Sequence, residues 1–315
     1  MITQASQIGW TRKLVGYAQL AKYPVYQHGY EWLLVVLLLH MQGIHPPGAV
    51  ASLILFLVAM FAVQAAACAA DDVVGFRNGS DAENYRANEL LPQPRKLLPK
   101  PLLTGLLTER EGMAFAVAAA LTATAAAVGS IVVLTDVPAA AIVGYLVVLA
   151  CAVQYSWGLK LSYRPGGLEF VVFLVNAATL LLPYWWVAHH VSLIAALMSV
   201  LVSVWFLLVV SYGNVADREG DAASGRRTFA VLASPEVFRV FLGALYLASV
   251  VLIALPFALG LLKPIGVLCV APLLAMQTAQ VYWGTIRGDA RRAMKIGFRC
   301  IDLGGLGFAV AILLS

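Results

Sequence analysis

Long apolar runs restrict the folds open to this chain more than any other feature. Ala49 to Ala70 and Ala114 to Leu134 carry no charged residue, and each has about the 20 residues that a helix needs to cross the hydrocarbon core of a bilayer. The whole chain is 61% hydrophobic and only 12% charged, whereas an ordinary soluble domain is about 25% charged. A chain with so little polar surface cannot cover a water-soluble globule. We therefore predict an all-α polytopic membrane protein.

The apolar segments and the polar stretches between them predict about nine transmembrane helices. The first is the least regular, because His40 and His45 crowd its far end. The predicted spans are 31–45, 49–70, 112–134, 137–158, 168–187, 191–212, 236–259, 262–284 and 294–314.

Residues 1–30 differ in character from the predicted transmembrane domain, residues 31–315. Trp10, Leu14, Tyr17 and Leu20 recur at helical spacing, which predicts a segment lying in the membrane interface. A frayed polar tail is the alternative. Because the first long apolar run begins only near Glu31, we expect no cleaved secretory signal.

The basic residues predict the orientation in the cell membrane. With alternate connections on opposite sides, every Lys and Arg except Lys263 falls on the side of the N-terminus. The positive-inside rule makes that side cytoplasmic, and the connections on the opposite side are very short. The active site is therefore expected on the cytoplasmic side. Contact with anionic lipid accounts for most single basic residues, and no nucleic acid partner is expected.

Two groups of acidic residues lie at predicted cytoplasmic ends of spans. The first group follows the second span and contains Asp71 and Asp72; the second follows the sixth span and contains Asp217 and Asp221. Charge beside a membrane span is expensive, so such residues indicate function by default. The alternative is that the acids only pair with neighbouring arginines at the interface.

The second group has the residue types of a magnesium-diphosphate site. If the sixth helix continues through it, Asn214, Asp217 and Asp221 project from one face. Magnesium prefers oxygen ligands and is usually held by one or two carboxylates together with substrate phosphates. Arg226 and Arg227 follow closely, and guanidinium groups grip phosphate oxygens in bidentate fashion.

These residues resemble the UbiA superfamily of intramembrane prenyltransferases. The second group is similar to that family's second aspartate-rich motif at Asn214, Asp217, Asp221, Gly225, Arg226, Arg227 and Thr228. The first is similar to the form Asn-Asp-x-x-Asp-x-x-x-Gly-x-Asp of the menaquinone-type branch, with Asp72, Gly79 and Asp81 in agreement. It departs at two positions. Asp71 stands where the motif has Asn, and Gly75 stands where it has a metal-binding Asp.

Two further stretches extend the resemblance to roughly residues 45–310. Lys100 to Gly105 resembles the family's Arg-Pro-Leu-x-x-Gly stretch, and Tyr155 to Phe170 resembles its loop between the fourth and fifth spans. The resemblance implies a nine-helix bundle around a central cavity. It also implies a prenyl diphosphate bound through Mg²⁺ that both aspartate-rich motifs hold.

The implied site assigns a role to each candidate residue. Asp72, Asp217 and Asp221 are the expected catalytic residues, and the candidate magnesium ligands are Asp71, Asp72, Asp81, Asp217 and Asp221. The candidate diphosphate contacts are Asn214, Lys100, Lys160, Arg164, Arg226 and Arg227. Tyr155, Trp157 and Tyr212 are candidates for steadying an allylic carbocation with their aromatic faces.

Asp71 is the candidate replacement for the ligand missing at Gly75. If residues 71–75 continue the second helix, Asp71 lies four residues before Gly75 and shares its side of that helix. The alternative is that Asp71 only caps or hydrogen-bonds at the helix end.

The leading functional prediction is a magnesium-dependent prenyltransferase that ionises an isoprenyl diphosphate and alkylates an aromatic or quinone-like acceptor. The alternative is a terpene cyclase of the same superfamily, which needs no acceptor. A transporter or lipid-binding scaffold would explain nine spans but not two acidic loops of this pattern. The histidines show no metal-ligand spacing, and no chemistry is assigned to them.

Overall fold

The computed structural model describes residues 9–22, 27–89 and 100–315, and helices are the regular elements in this part of the chain. Residues 1–8 and 23–26 of the predicted interfacial segment lie outside it. In chain order, the helices are α1 (Trp10–Leu20), α2 (His28–Met41), α3 (Ala49–Arg77), α4 (Ser80–Glu89), α5 (Glu109–Leu134), α6 (Ala139–Val153), α7 (Gly167–Ala188), α8 (Leu193–Ala216), α9 (Arg218–Ala223), α10 (Phe229–Leu232), α11 (Pro235–Ala258), α12 (Val267–Val281) and α13 (Ala290–Leu313).

The predicted helical membrane bundle is confirmed. Each predicted span overlaps one of the helices α2, α3, α5, α6, α7, α8, α11, α12 and α13, and α3 continues beyond its predicted end at residue 70 to Arg77. Seven segments of the described chain are long and apolar enough to cross a membrane, namely α3, α5, α7, α8, α11, α13 and Pro264–Ile286, which contains α12. The apolar helix α6 is shorter, with 15 residues, and α2 has 14.

Local sequence sets several helix boundaries. Thr108 and Glu111 form a reciprocal capping box at the start of α5, which satisfies backbone N–H groups that have no partner within the helix. Ser192 and Ser234 cap α8 and α11 in the simpler way, by accepting a bond from the backbone three residues later. These polar side chains thus fix where α5, α8 and α11 begin.

Small residues allow the helices to approach closely. Ser52 of α3 and Ser130 of α5 share a buried hydrogen bond of 2.6 Å. Gly304 of α13 lies against the indole ring of Trp205 in α8, and a Cβ atom at Gly305 would lie 2.6 Å from Tyr30 of α2. Small residues at helix contacts are typical of membrane bundles, where burial of apolar surface does not drive helices together. The result is a tightly packed centre formed by α2, α8 and α13.

The connections differ in length between the two ends of the bundle. At one end they are the short segments 42–48, 135–138, 189–192 and 259–266. At the other, here called the loop end, they include residues 154–166 and 217–234. Among the long helices, α8 has the largest buried fraction. The second acidic motif follows α8 and therefore lies at the loop end.

Candidate active site

Asp72 lies at the centre of a charge cluster at the loop end. The helix α3 continues through both aspartates to Arg77, as the motif spacing predicts. The Asp72 side chain is only 1% exposed, and it accepts hydrogen bonds from Lys100 at 2.6 Å and from Lys22 at 3.0 Å. Lys100 also pairs with Asp81 at 3.1 Å. Burial alone would lower the pKa of Lys100, but attraction to these carboxylates raises it above its usual range.

Asp71 joins the first motif to the second. Its carboxylate accepts a hydrogen bond from the Ser156 hydroxyl at 2.5 Å and forms an ion pair with the guanidinium group of Arg226. The proximity of Asp71 raises the pKa of Arg226 well above its usual value. The two acidic groups and the loop after α6, far apart in sequence, therefore meet at one place.

The space beside Gly75 is already occupied by a carboxylate. A Cβ atom at Gly75 would lie 2.8 Å from the carboxylate carbon and both carboxylate oxygens of Asp81. Asp81 therefore fills the position where an acid at residue 75 would begin. The predicted replacement is Asp71, but the structure places Asp81 in this position and Asp71 against Arg226. The magnesium role of either residue stays a prediction.

The second motif does not continue α8 as one straight helix. The helix ends at Ala216, Asp217 leaves the helical region with φ of −109° and ψ of 9°, and α9 begins at Arg218. Asn214 and Asp221 remain buried, whereas the Asp217 side chain is 56% exposed and pairs with Arg291 at 3.1 Å. The expected row of three ligands on one helix face is thus interrupted at its middle member.

Asp221 lies in a setting that favours a nearby cation. Burial raises the pKa of Asp221 to about 6 against the attraction of Arg226, and the carboxylates of Asp217, Asp71 and Glu169 contribute to the increase. Among the described residues, the side-chain nitrogen of Asn214 and one oxygen of Glu169 are buried without a hydrogen-bond partner. Buried carboxylates and unpaired polar atoms are costly. A bound cation would relieve the cost of the carboxylates, and an anion bound to that cation would accept from the Asn214 N–H group.

The other predicted residues divide between the site and its surroundings. Lys160, Arg164 and Arg227 are exposed at the loop end. Arg226 and Lys160 both lie over the ring of Tyr163, at 5.6 and 5.8 Å from its centroid.

The three predicted aromatic residues are not brought together. Tyr155 directly precedes Ser156, whose hydroxyl donates to Asp71, whereas Trp157 is 44% exposed. Tyr212 is fully buried, packs against Gly284, and shares a hydrogen bond of 3.0 Å with Thr285. Tyr155 is therefore the member of the three that the structure places next to the charges.

A sequence model of the UbiA prenyltransferase family matches residues 32–300. The chain belongs to this family. The sequence resemblance drawn from the two aspartate-rich motifs is thereby confirmed. No curated protein sequence matches the chain.

Solved structures of UbiA homologues share the fold. A UbiA homologue from Aeropyrum pernix K1 superimposes with a TM-score of 0.65 at 18% identity, covering 92% of this chain and 98% of the other. One from Archaeoglobus fulgidus, bound to DMAPP and Mg²⁺, gives 0.60 at 18% identity over 94% and 98% of the two chains. A digeranylgeranylglyceryl phosphate synthase structure gives 0.61 at 13% identity over 96% and 99%.

Several residues that contact the aspartates of the UbiA motifs could not be identified from the sequence alone. Lys22 reaches Asp72 from the segment before α2, and Arg291 reaches Asp217 from the start of α13. Both belong to groups of basic residues that topology alone explains. Ser156 lies within the loop that resembles the family, but nothing in its residue type singled it out.

The donor set fits a magnesium ion completed by a substrate. Within the described residues, no three His, Cys, Asp or Glu side chains converge as a preformed metal cage. Instead, Asp72 and Asp81 share Lys100, and Asp71 pairs with Arg226, whose backbone N–H donates to the Asp221 carbonyl at 2.9 Å. Magnesium commonly uses only one or two carboxylates and takes further ligands from water and phosphate oxygens. Paired carboxylates held around cations meet that requirement.

Proposed function

We propose that this chain is a magnesium-dependent intramembrane prenyltransferase that ionises an isoprenyl diphosphate and transfers the prenyl group to an aromatic or quinone-like acceptor. The observation that carries the proposal is the Asp71–Arg226 ion pair, because it joins the acids of both UbiA motifs in one buried cluster. The Mg²⁺ and DMAPP bound to the Archaeoglobus fulgidus homologue support a similar ligand pair here.

The residues of the cluster would bind the diphosphate in two ways. Asp72, Asp81 and Asp221 would hold magnesium, with Asp71 and Asp217 at its edge. The bound ion would neutralise negative charge that develops on the departing diphosphate. Lys100 and Arg226, now paired with those acids, would turn their N–H groups to phosphate oxygens, which they bind in charge-assisted hydrogen bonds. Asn214 would add a buried amide donor.

The surroundings would protect the allylic cation that diphosphate departure leaves. Tyr155 adjoins the charges, and aromatic faces attract cations strongly when water is excluded. Apolar helices enclose the space deeper in the bundle, where a small apolar cavity lies between α3, α6 and α7. The prenyl chain would occupy this interior. The exposed residues Lys160, Arg164 and Arg227 would then attract the anionic substrate to the loop end.

The proposal predicts magnesium-dependent release of diphosphate by the purified full chain. Geranyl, farnesyl and geranylgeranyl diphosphates are incubated with the protein, with and without aromatic acceptors, and inorganic diphosphate and organic products are measured. Chelation should stop release, and added magnesium should restore it. A terpene made equally well without acceptor would favour the cyclase alternative, and release that survives chelation would contradict the metal site.

We also propose that the loop end faces the cytoplasm. The support is the asymmetry of the basic residues, of which only Lys263 falls on the other side. Reporter fusions should then place the N-terminus inside the cell and the C-terminus outside, because nine spans separate the two in this arrangement. If both termini were found on one side, then one of the two shorter helices, α2 or α6, would not cross the membrane.

A further inference from the structure

A second polar group lies inside the bundle, away from the aspartates. It consists of Gln27, His28 and Glu31 at the start of α2 and Gln64 of α3, here called the inner polar cluster. Glu31 is 1% exposed, and Gln27 and His28 are also buried. The His28 ring donates a hydrogen bond of 3.1 Å to one carboxylate oxygen of Glu31. An ionisable residue at such depth is expensive and indicates function by default.

The helices place this cluster well below the aspartates. Gln64 precedes Asp72 by eight residues on α3, which corresponds to about 12 Å along the helix axis. The His28 ring stacks on Phe206 of α8, and Phe206 precedes Asn214 by eight residues. The cluster therefore lies about 12 Å from the acidic motifs along α8 as well as along α3. Because α2 starts at this depth, its first turn faces the bundle interior and not the water at the loop end.

The unpaired atoms of the cluster are all hydrogen-bond acceptors. Within the described part of the chain, one side-chain oxygen each of Gln27, Glu31 and Gln64 is buried with no hydrogen-bond partner. The position of the Gln27 amide is fixed by its N–H donation to Asp302 at 3.4 Å. His28 and the positive end of the α2 dipole stabilise one oxygen of the Glu31 carboxylate. They provide no hydrogen-bond donor for the other oxygen. Buried acceptors without donors are rare and costly, so the group that completes this cluster must itself donate hydrogen bonds.

Aromatic surface surrounds these acceptors. The His28 ring stacks on Phe206 with centroids 5.3 Å apart and meets Phe61 edge-on at 6.4 Å. Such faces suit a flat ring. The Glu31 carboxylate would repel an acceptor that carries its own carboxylate at this end, since two buried like charges cannot both remain ionised.

We propose that the inner polar cluster binds the hydroxyl group of a neutral phenolic acceptor and that Glu31 takes the proton released on prenylation. This inference rests on the proposed function and specifies its acceptor. The hydroxyl donates to the free oxygen of Glu31, and the neighbouring edge of the ring, with the carbon ortho to that hydroxyl, faces the aspartates.

The step balances in atoms and charge. The bond between prenyl C1 and the diphosphate oxygen breaks, and its electron pair leaves with the diphosphate. A ring carbon ortho to the bound hydroxyl forms the new bond to C1 from ring π electrons, while the hydroxyl proton moves to Glu31 and leaves a neutral dienone. A proton shift from the ring carbon to the oxygen then restores the phenol. The one proton released overall remains on the pair formed by Glu31 and His28.

Binding of simple probes tests the cluster without any diphosphate chemistry. Hydroquinone and 1,4-dimethoxybenzene have similar rings but differ in hydroxyl donors, and their binding to the purified full chain is measured by calorimetry and by the unfolding temperature. We expect hydroquinone to bind and the dimethyl ether to bind at least tenfold more weakly. Equal binding of the two probes would overturn the proposal, whether or not the chain cleaves prenyl diphosphates.

Variants separate ligand binding from a structural role. Glu31→Gln should weaken hydroquinone binding at least tenfold while leaving magnesium-dependent binding of inorganic diphosphate unchanged. Gln64→Met removes an unpaired buried oxygen, so it should raise the unfolding temperature without ligand yet weaken hydroquinone binding. Gln277→Met is the control, because the Gln277 side chain also lies inside the bundle but is fully paired with Ser249. It should lose stability and keep hydroquinone affinity.

Transfer to hydroquinone provides the catalytic readout. Positioned acid or base groups contribute about 10² to 10⁴ in rate, so Glu31→Gln should slow transfer at least about 100-fold with bound substrates. Hydroquinone affinity and transfer both equal to wild type in Glu31→Gln would overturn the assignment. If the wild type binds hydroquinone but cleaves no prenyl diphosphate, the proposed function fails while the cluster's binding role stands.

Discussion

Asp221→Asn is expected to lower the rate of magnesium-dependent diphosphate release by at least about 100-fold, the scale on which single electrostatic contacts to a developing charge contribute. Asp221 is 8% exposed, and burial raises its pKa to about 6. An amide of the same shape removes a costly buried charge, so the unfolding temperature should stay the same or rise. The measurement pairs initial rates of diphosphate release with thermal unfolding of the same preparation.

Glu219→Gln is the matched control for Asp221→Asn. Glu219 lies two residues earlier on the same helix, α9, but its side chain is exposed. It should therefore keep near wild-type release, because a solvated carboxylate on the outer face cannot contact the diphosphate. Equal losses in the two variants would show that any charge change on α9 impairs the enzyme, and the assignment of Asp221 to the site would be lost.

The helices were predictable because their apolar runs depend only on the bilayer. A span needs about 20 apolar residues whatever it packs against, and the runs leading to α3 and α8 show this directly in sequence. The course of the chain at Asp217 was not predictable in the same way. Its departure from α8 accompanies the ion pair with Arg291, a residue 74 positions later, and no periodicity within the motif reports such a contact.

The inner polar cluster shows the same limit for function. The histidines lack metal-ligand spacing, and sequence reasoning therefore assigned His28 no chemistry. Its significance comes from Gln64 and Phe206, which α3 and α8 bring beside it. Within α2, the spacing of His28 and Glu31 alone is equally consistent with an ordinary first turn carrying an acid near its N-terminus. The unpaired oxygens can be recognised only once neighbouring helices are in place.

Gly75→Asp is expected to destabilise the chain in the absence of magnesium and to regain that stability when magnesium is added. A Cβ atom at residue 75 would lie 2.8 Å from the Asp81 carboxylate, and overpacking of this kind costs about 1–3 kcal/mol. The new carboxylate adds repulsion of like charge. Magnesium bound between the two acids would remove the repulsion, and a ligand that binds only the folded state stabilises it by mass action.

Gly75→Asn separates charge from shape in this experiment, because asparagine has nearly the same volume and no charge. We expect Gly75→Asn to lose only the overpacking part of the stability and to show no additional response to magnesium beyond that of the wild type. Adding Asp81→Ala to Gly75→Asp should restore stability in chelator, since the space at residue 75 is then free for the new carboxylate. Thermal unfolding of the four proteins, each in chelator and across a magnesium titration, supplies the comparison. If Gly75→Asp and Gly75→Asn unfold at the same temperature in chelator and respond equally to magnesium, then Asp81 does not occupy the place of the missing acid in solution, and the ligand must come from elsewhere in the cluster.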